Sequence, residues 1–480
     1  MTFAISGDCC SDASCVAVCP MNSIHPSPGE PGFGTGASLF IDPRTCIDCG
    51  ACADICPVDA AKPAERSARE DVVRNAAYFA DTEPLDATDL DSWEPVSYET
   101  WGGGPRRVLV VGAGPAGMYA TRELLLRTTA EITLVDRLSE VGGLVRYGVA
   151  PDHPGTKQIL ETFERIIRHR RVHWLPGTAV DELAGVGDRT TGGSGPGRRP
   201  VSVVDTGEGS LGGTPPVDRA SVPLPGGLAG RGQVDGSAAG KLPAGFDAVV
   251  HAVGAWRSRR LGIVGEDAAC SAEDFVAWYN GRPGAGAPPA LVGPRAVVVG
   301  NGNVALDVAR LLLSDEKQLR DMDVLPEVRR VLATSGIKEV VLLGRRGPDH
   351  AAYTEPALRE LLAMAGDRVE LRYHARPTAW TSEGLTLDTS ETVAAGNLFT
   401  AIGFEGQPID GLPFDPERGI VPNVRGAVVG RPGHYVAGWI KRGARGGIGV
   451  NKACAQETVL TLVSASRGAA SPGSGSPRSS

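Results

Sequence analysis

Eight of the ten cysteines fall into two short runs whose spacing suits iron–sulfur chemistry. The run from Cys46 to Pro57 reads C-x2-C-x2-C-x3-C-P, in which three thiolates share one tight loop and the fourth serves another cluster. An upstream run ends in the same way at Cys19 and Pro20, but it has Asp12 at the second position. The two runs therefore predict a pair of iron–sulfur clusters near the N-terminus rather than disulfides.

The fourth cysteine of each run is expected to ligate the cluster of the other run. One [4Fe–4S] cluster is then held by Cys19, Cys46, Cys49 and Cys52. The other is held by Cys9, Cys15 and Cys56. Its fourth corner is either vacant, which gives a [3Fe–4S] centre, or occupied by Asp12. Cys10 is an alternative to Cys9, although the spacing favours Cys9. A helix is expected to begin at Cys56, because Pro57 suits a first helical turn.

Composition and charge exclude several other classes of function. The chain of 480 residues has a net charge of -8, which argues against general nucleic-acid binding. Residues 1–60 contain seven acidic residues and one basic residue, Arg44, so this part should attract basic partner proteins. No apolar run is long enough to span a membrane, and no signal peptide is recognisable. The clustered cysteines indicate a reducing, cytoplasmic location.

A glycine-rich turn follows a predicted strand at 107–111 and precedes a helix that reaches about residue 127. In this G-x-G-x-x-G turn, Gly112 makes the bend, Gly114 lets a pyrophosphate approach, and Gly117 packs the helix on the strand. The helix N-terminus offers free N–H groups to the phosphates. The next strand ends in Asp136, which can accept hydrogen bonds from an adenosine ribose. This order predicts a Rossmann-like dinucleotide unit.

A second unit of the same kind begins at the predicted strand 295–299. Its turn reads G-N-G-N-V-A from Gly300, with Ala305 replacing the third glycine, a variant that the fingerprint tolerates. The next strand, 339–343, is followed by Arg345 and Arg346 rather than by an acid. Two guanidinium groups suit a 2′-phosphate, so this unit should prefer NADP over NAD. A third glycine-rich segment, 438–449, leads into a helix whose N-terminus can stabilise a reduced flavin.

These signals divide the chain into several parts. We expect an N-terminal cluster domain at 1–60, a linker at 61–104, a first nucleotide domain at 105–255 and 400–465, and an NADP domain at 256–399. The resemblance given below implies that the first nucleotide domain binds FAD. Residues 185–243 are rich in Gly, Pro, Ser and Thr and are expected to be a flexible insertion. Residues 466–480 have a similar composition and are expected to be a disordered tail.

Five motifs in order resemble the adrenodoxin-reductase-type ferredoxin–NADP reductases. They begin at Gly112, Gly142, Gly300, Gly344 and Gly438. The likeness covers most of residues 105–465, and residues 1–60 are similar to a seven-iron or Asp-variant eight-iron bacterial ferredoxin. The whole chain thus resembles the bacterial ferredoxin/ferredoxin–NADP reductases. The resemblance implies a multidomain fold: an α+β ferredoxin domain with two clusters, then an α/β reductase with two Rossmann-like domains in the glutathione-reductase style.

The resemblance also implies contacts for each nucleotide. The FAD contacts it implies are Gly112, Gly114, Ala116, Gly117, Asp136, Leu144, Val180, Trp439, Gly446, Gly447 and Ile448. The NADP contacts it implies are Asn303, Val304, Ala305, Leu306, Arg345, Arg346 and Gly446. A glutamate of the family is replaced here by Ala357, and Glu355 is the candidate substitute. His153, after an A-P-D motif, is expected near the site of hydride transfer.

The function implied is a ferredoxin–NADP reductase that moves electrons from NADPH through FAD to iron–sulfur clusters or ferredoxin. NADPH donates electrons in pairs while iron–sulfur centres accept one each, so a flavin is needed between them. Two other hypotheses stay open at this point. One is an electron-input subunit of a larger synthase, similar to the glutamate-synthase small subunit. The other is a redox-sensing module that binds nucleotides without turnover.

Overall fold

The computed structural model describes residues 2–19, 21–27, 30–33, 38–82, 105–178 and 245–468. Val180, the expected insertion at 185–243, and the expected tail beyond residue 468 lie outside the described residues. Three units follow one another along the chain, and the second is completed by the C-terminal segment. Within the described residues, no helix is long and apolar enough to cross a membrane.

The first unit contains two small antiparallel sheets and two helices. In chain order its elements are β1 (Phe3–Ile5), β2 (Ile24–His25), β3 (Phe40–Ile41), α1 (Ala51–Ile55), β4 (Ala61–Pro63) and α2 (Arg69–Tyr78). Strand β1 pairs with β4, and β2 pairs with β3. The expected helix start at Cys56 is wrong: α1 ends at Ile55, and Pro57 lies in the turn that follows.

The first unit also extends beyond the predicted boundary at residue 60. Strand β4 belongs to its sheet, and α2 is tied to that sheet by the buried side chain of Asn75. The Asn75 amide accepts N–H groups from Ile5 at 3.1 Å and Ile41 at 2.8 Å, and donates to the Ile5 carbonyl at 2.9 Å. The described part of the predicted linker, 61–82, is thus packed on the first unit. The contact depends on the polar side chain of Asn75, which adds nothing to a pattern of apolar residues. The sequence therefore did not assign α2 to the first unit.

The second unit is built on a seven-stranded sheet. Its first elements are β5 (Arg107–Val111), α3 (Pro115–Arg127), β6 (Glu131–Val135), α4 (Leu144–Gly148), α5 (Pro154–Lys157), α6 (Ile159–Ile167), β7 (Val172–Leu175) and β8 (Ala248–His251). Strands β8, β5, β6 and β7 are parallel neighbours in that order. The strands are apolar over nearly their whole length because a parallel sheet is covered on both faces.

The third unit follows β8 and is built on a five-stranded parallel sheet. Its elements are β9 (Arg257–Ser258), β10 (Cys270–Ser271), α7 (Ala272–Tyr279), β11 (Arg295–Val299), α8 (Asn303–Leu313), α9 (Glu316–Asp321), α10 (Pro326–Ala333), β12 (Glu339–Leu343), α11 (Glu355–Ala365), β13 (Val369–Arg372), β14 (Pro377–Thr381), β15 (Gly384–Leu387), β16 (Thr392–Val393) and β17 (Asn397–Thr400). The parallel order is β10-β17-β11-β12-β13, and β14, β15 and β16 form an antiparallel sheet beside it.

The chain then returns to the second unit. Its last elements are β18 (Phe404–Glu405), β19 (Asn423–Val424), β20 (Ala427–Val428), β21 (His434–Val436), α12 (Trp439–Arg442) and α13 (Ile448–Gly468). Strand β21 joins β8 in parallel, so the C-terminal segment completes the sheet of the second unit. Strands β9 and β18 pair where the chain leaves and re-enters this unit. The second unit is therefore discontinuous along the chain, with the third unit inserted between β8 and β18.

Candidate cofactor and iron–sulfur sites

Two cavities in the first unit are each lined by cysteines from both runs. One cavity is lined by Cys46, Cys49 and Cys52 of the second run together with Cys19 of the first. The short helix α1 places Cys52 inside, and the loop before it presents Cys46 and Cys49. Four sulfur donors around one space match the donor set of a cubane cluster. The fold therefore brings together the four residues that the exchange of fourth cysteines predicts for this cluster.

The other cavity is lined by Cys9, Cys15 and Cys56, and Cys10 and Asp12 line it as well. Cys56 comes from the downstream run, as the exchange predicts. The cavity therefore holds three expected thiols plus both of the candidates that the sequence left open. We call the site at this cavity the first cluster site, and the site lined by Cys19, Cys46, Cys49 and Cys52 the second cluster site.

Backbone amides point at sulfur atoms in both sites. Ser23 donates its N–H to Cys19 Sγ at 3.3 Å, and Ala60 donates to Cys56 Sγ at 3.2 Å. Burial raises the pKa of Cys15 and, with the neighbouring Cys46, raises that of Cys52 to about 12. Such thiols would ionise only beside a strong cation, and iron is one. The donor set therefore fits iron–sulfur clusters in both sites.

Asp12 is 8% exposed and is already engaged by its surroundings. Its carboxylate accepts the Ser14 N–H at 3.2 Å and is also hydrogen-bonded to the Ser14 hydroxyl. Lys452 of α13 places its Nζ 3.5 Å from Asp12 Oδ2 and donates to Ser14 Oγ at 2.7 Å. A residue of the second unit thus lies beside the fourth corner of the first cluster site.

The turn between β5 and α3 forms a cradle that requires glycine. A methyl group on Gly112 would lie 2.5 Å from the carbonyl oxygen of Ala252, and one on Gly117 would lie 1.8 Å from that of Gly112. At the end of β6, Asp136 accepts the N–H of Ala113 through Oδ2 at 2.7 Å. The turn, the N-terminus of α3 and this carboxylate lie together, as the dinucleotide fingerprint requires. These residues fit the adenosine end of a nucleotide such as FAD.

Other residues predicted for FAD surround the same cradle. Leu144 begins α4, and the loop before it is tied to the cradle by the Gly142 N–H, which donates to the Ala113 carbonyl at 2.8 Å. Ala116 contacts the segment before α12, where a methyl group on Gly438 would lie 2.5 Å from its Cβ. Next to it, Trp439 donates its indole N–H to the Gly446 carbonyl at 3.1 Å. Gly446, Gly447 and Ile448 therefore lead into α13 close to the cradle.

In the third unit the predicted nucleotide contacts begin α8. Asn303, Val304, Ala305 and Leu306 form its first turn. The side chains of Ala305 and Leu306 are buried, and their amides donate to the Gly302 carbonyl at 2.9 and 3.3 Å. The Asn303 side chain accepts the N–H of Thr354 at 2.8 Å and so holds the loop before α11. A ligand at this turn would meet mainly backbone and the exposed Asn303.

Arg345 and Arg346 are separated from the end of β12 by Gly344, and both are exposed. Neither guanidinium forms an ion pair with another residue in the described ranges. Glu355 begins α11, but its side chain is 80% exposed and pairs with Arg359 at 2.6 Å. Ala357 packs partly against the core of the third unit. The two arginines are therefore free to meet a phosphate, whereas the Glu355 carboxylate is directed along its own helix.

His153 lies where the second and third units meet. Its Nε2 is 3.0 Å from Arg310 Nη2, and Arg310 Nε donates to Asp152 Oδ2 at 2.6 Å. Arg310 is 2% exposed and also donates to Asp307 at 2.7 Å within α8. Burial raises the pKa of Asp307, and the Arg310 guanidinium opposes that rise. One arginine of the third unit thus holds the A-P-D-H segment of the second.

Sequence reasoning missed four residues that the fold places at these sites. They are Arg310, Asp152, Gly449 and Lys452. Arg310 follows the glycine turn of the third unit by two helical turns and reads as an ordinary amphipathic helix position. Asp152 stands next to the predicted His153 in the A-P-D-H segment, and this position is the feature of the sequence that could have identified it. Gly449 and Lys452 contact residues of the first unit. A motif within one stretch of sequence cannot indicate a contact between two units.

Comparison with known proteins agrees with this arrangement. A family model described as pyridine nucleotide-disulphide oxidoreductase matches residues 106–448, and one described as a 4Fe-4S dicluster domain matches residues 8–60. A probable ferredoxin/ferredoxin–NADP reductase of Mycobacterium bovis is 34% identical over 96% of this chain and 84% of its own length. The NADPH:adrenodoxin oxidoreductase of Arabidopsis thaliana is 31% identical over 75% of this chain and 82% of its own length.

Among solved structures, FprA of Mycobacterium tuberculosis in complex with NADPH matches 76% of this chain and 85% of its own, with a TM-score of 0.60 and 30% identity. The dicluster model and the oxidoreductase model cover the first unit and the two nucleotide units in the order found here. A pyridine nucleotide oxidoreductase of this kind implies FAD and NADP, and the dicluster domain implies iron–sulfur clusters. The chain belongs to the pyridine nucleotide-disulphide oxidoreductase family and, within it, to the ferredoxin/ferredoxin–NADP reductases.

Proposed function

We propose that this chain is an NADPH-dependent ferredoxin reductase with its own ferredoxin domain. The observation that carries the proposal is that a unit with two cysteine-lined cavities is packed on a unit whose glycine cradle fits FAD. That second unit is followed along the chain by a unit that presents two free arginines. When bound, FAD accepts a hydride from NADPH and releases electrons one at a time, as iron–sulfur clusters require. The electrons then reach a separate ferredoxin or another one-electron acceptor protein.

The second unit holds FAD in this proposal. The residues that would hold it are the N-terminus of α3 at the pyrophosphate, Asp136 at the ribose, and Leu144 beside them. Trp439 donates a hydrogen bond to the Gly446 carbonyl, and the segment Gly446–Ile448 at the N-terminus of α13 would hold the flavin ring. A helix N-terminus there favours negative charge on the ring when it is reduced.

The third unit holds NADP. Arg345 and Arg346 bind the 2′-phosphate, since both are exposed and unpaired within the described residues and a guanidinium matches a phosphate bidentately. The first turn of α8, from Asn303 to Leu306, faces the pyrophosphate. Glu355 is a weaker candidate because its carboxylate pairs with Arg359. NADP affinity therefore rests on the two arginines.

His153 is a candidate for the hydride-transfer site because it stands on the segment that joins the two nucleotide units. Hydride transfer itself requires no proton donor. We therefore assign His153 to positioning, with Arg310 and Asp152 holding the segment in place. In this arrangement the two nucleotide units are of the glutathione-reductase type, in which a flavin unit and a pyridine nucleotide unit meet along one seam.

The cluster assignments follow the cavities. Cys19, Cys46, Cys49 and Cys52 hold a [4Fe–4S] cluster at the second site. Cys9, Cys15 and Cys56 hold the cluster at the first site, where Asp12 stands in the place of a fourth thiolate. A corner without a thiolate favours a [3Fe–4S] centre. Seven cysteines used in this way also favour a reducing, cytoplasmic location.

The test is anaerobic turnover of protein loaded with flavin and iron. NADPH should bleach the flavin absorbance and reduce an artificial acceptor such as ferricyanide through many cycles. A redox-sensing module would bind NADPH without sustained turnover. If the loaded protein shows no sustained turnover, the reductase function is excluded. A synthase subunit would need its partner subunit for any physiological product, whereas this protein should reduce an added ferredoxin by itself.

A further inference from the structure

The first unit contacts the second unit through the loop that lines the first cluster site. The Gly449 N–H, in the first turn of α13, donates to the Cys10 carbonyl at 2.9 Å. The approach is so close that a methyl group on Gly449 would lie 1.6 Å from the Ser11 carbonyl oxygen. Only a residue without a side chain permits this contact. The segment proposed to face the flavin ring, Gly446–Ile448, immediately precedes it.

A charged contact reinforces the same place. Lys452, one helical turn beyond Gly449, is 3.5 Å from the buried Asp12 carboxylate and donates to Ser14 Oγ at 2.7 Å. The Lys452 side chain is only 20% exposed, so solvent screens the pair less than it would at the surface. The lysine thus holds the loop of the first cluster site on α13.

A second part of the loop contacts α5. Thr156 donates its hydroxyl to the Asp8 carbonyl at 3.3 Å, and a methyl group on Gly155 would lie 2.7 Å from Asp8 Cγ. The buried apolar side chains of the first unit and of the second also form one continuous cluster. The two units therefore meet in a packed interface with several separate contacts. On the side of the first unit, the residues named in these contacts all lie between positions 8 and 14.

The second cluster site has a different environment. Cys49 is exposed, and so are its neighbours Ile47, at 56%, and Ile55, at 43%. Asp48 and Asp54 are exposed on the same loop and helix. The first cluster site therefore lies against the second unit, whereas the second cluster site is open to a partner protein.

On the basis of the proposed function, we infer that the loop Asp8–Ser14 docks the first unit on the second unit of the same chain. This contact makes the first cluster the entry point for electrons and the second cluster the exit. Oxidation of one NADPH to NADP⁺ and a proton supplies two electrons. Each cluster takes one of them, so one hydride balances one-electron reduction of both. The fused ferredoxin domain is then a permanently docked acceptor, and Lys452 and Gly449 are its positioning residues.

The test is anaerobic rapid mixing of the loaded full-length protein with NADPH. Flavin reduction is followed by absorbance and cluster reduction by freeze-quench EPR. Lys452→Glu places a second negative charge beside Asp12, and Gly449→Val puts a branched side chain against Ser11. Each should slow cluster reduction at least about tenfold, since like charges or steric overlap oppose docking. In Lys452→Glu the rate of flavin reduction by NADPH should stay at the wild-type value. Gly449 adjoins the segment proposed to hold the flavin, so cluster reduction in Gly449→Val is compared with flavin reduction in the same variant.

Matched controls come from the third unit. Lys317→Glu makes the same charge change at an exposed position of α9, and Gly286→Val adds the same side chain where no atom lies within 4 Å. Both should behave as wild type. Hydrogen exchange provides a readout independent of activity: amides around residues 9–14 and 446–453 should exchange faster in the two docking variants and not in the controls.

The order of reduction is tested with Cys49→Ser, which disables the second site. The first cluster should still be reduced at the wild-type rate if it is the entry point. Loss of first-cluster reduction in this variant, with its iron at the first site retained, would overturn the inference. So would unchanged cluster reduction and exchange in both docking variants. A wild-type flavin that NADPH fails to reduce would instead contradict the proposed function.

Discussion

Arg310 Nη2 lies 3.0 Å from His153 Nε2, and this contact joins the third unit to the second. A guanidinium offers only N–H donors, so Nε2 accepts and the ring proton of His153 stands on Nδ1. The same arginine is hydrogen-bonded to Asp152 in the second unit and Asp307 in the third. The seam between the nucleotide units therefore has a buried cation at its centre, shared by carboxylates from both sides.

Replacing Arg310 with Met should destabilise the protein by about 3–5 kcal/mol, because two partly buried carboxylates lose their partner. Thermal or denaturant unfolding of the flavin-loaded protein measures the effect. Arg320→Met is the control, since Arg320 forms an exposed pair with Glu316 that should contribute less than about 1 kcal/mol. Equal effects of the two substitutions would contradict a buried cation at the seam.

Replacing both Arg345 and Arg346 with Ala should lower kcat/KM for NADPH by roughly 10- to 100-fold, because charge-assisted hydrogen bonds to the 2′-phosphate are lost. The value for NADH should change little, since NADH lacks that phosphate. Steady-state kinetics with ferricyanide measures both constants. Arg330→Ala, at an exposed position of α10, should leave the ratio of the two constants unchanged. An unchanged ratio of the two constants in the double variant would show that the two arginines do not bind the 2′-phosphate.

The cluster type at the first site can be tested with Asp12→Cys. Wild-type protein should contain about seven iron atoms and show the EPR signal of an oxidised [3Fe–4S] centre. A thiolate at position 12 is the softer ligand that iron–sulfur clusters prefer. The variant should therefore lose that signal and gain about one iron atom per chain. Asp12→Asn, which offers no thiolate, should keep the signal. Eight iron atoms in wild-type protein would point to ligation by Asp12 or Cys10.

The exposed acids beside the second cluster site should steer basic acceptors. Reversing Asp48 and Asp54 to Lys should slow electron transfer to a cationic acceptor such as cytochrome c by about tenfold at low ionic strength. The difference from wild type should shrink as salt is added, because salt screens exposed charges. Stopped-flow rates at several salt concentrations measure it. The same reversal at the exposed Glu383 and Asp388 of the third unit should have little effect.

A buried histidine pair in the sheet of the second unit should make stability depend on pH. His251 Nε2 is 3.1 Å from His434 Nδ1, and burial together with His434 lowers the pKa of His251 to about 3. The unfolded chain takes up a proton near pH 6.5, whereas the folded chain does not. The free energy of unfolding should therefore fall as pH falls below about 6.5, by about 1.4 kcal/mol per pH unit from this residue.

Unfolding measured between pH 7.5 and 5.5 checks this prediction. His251→Gln should reduce the pH dependence, because one histidine that takes up a proton in the unfolded but not in the folded chain is gone. Burial also lowers the pKa of His434, so part of the dependence should remain. His350→Gln, at an exposed position, should leave the slope unchanged. Identical slopes in all three proteins would show that acid sensitivity comes from other groups.

The sequence alone was sufficient to predict the features that depend on residue types and their spacing along the chain. Cysteine spacing predicted both groups of cluster ligands, because three ligands on one loop and one exchanged residue leave few alternatives. The glycine turns and the residues after the second strands, Asp136 and Arg345, predicted two different nucleotide units. Short apolar runs beside the glycine turns predicted strands β5, β6, β11 and β12 of the two large sheets. Each of these signals depends on residues that lie near one another along the chain.

Contacts between distant segments were decided only by the tertiary structure. Asn75 extends the first unit past the predicted boundary by bonding two strands, and its polar side chain gives no periodic signal. Gly449 is separated from Ser11 by almost the whole chain, and their contact arises from how two complete units pack. Sequence spacing reports which residues share a loop, whereas packing between units decides which cluster lies nearest to the nucleotide site.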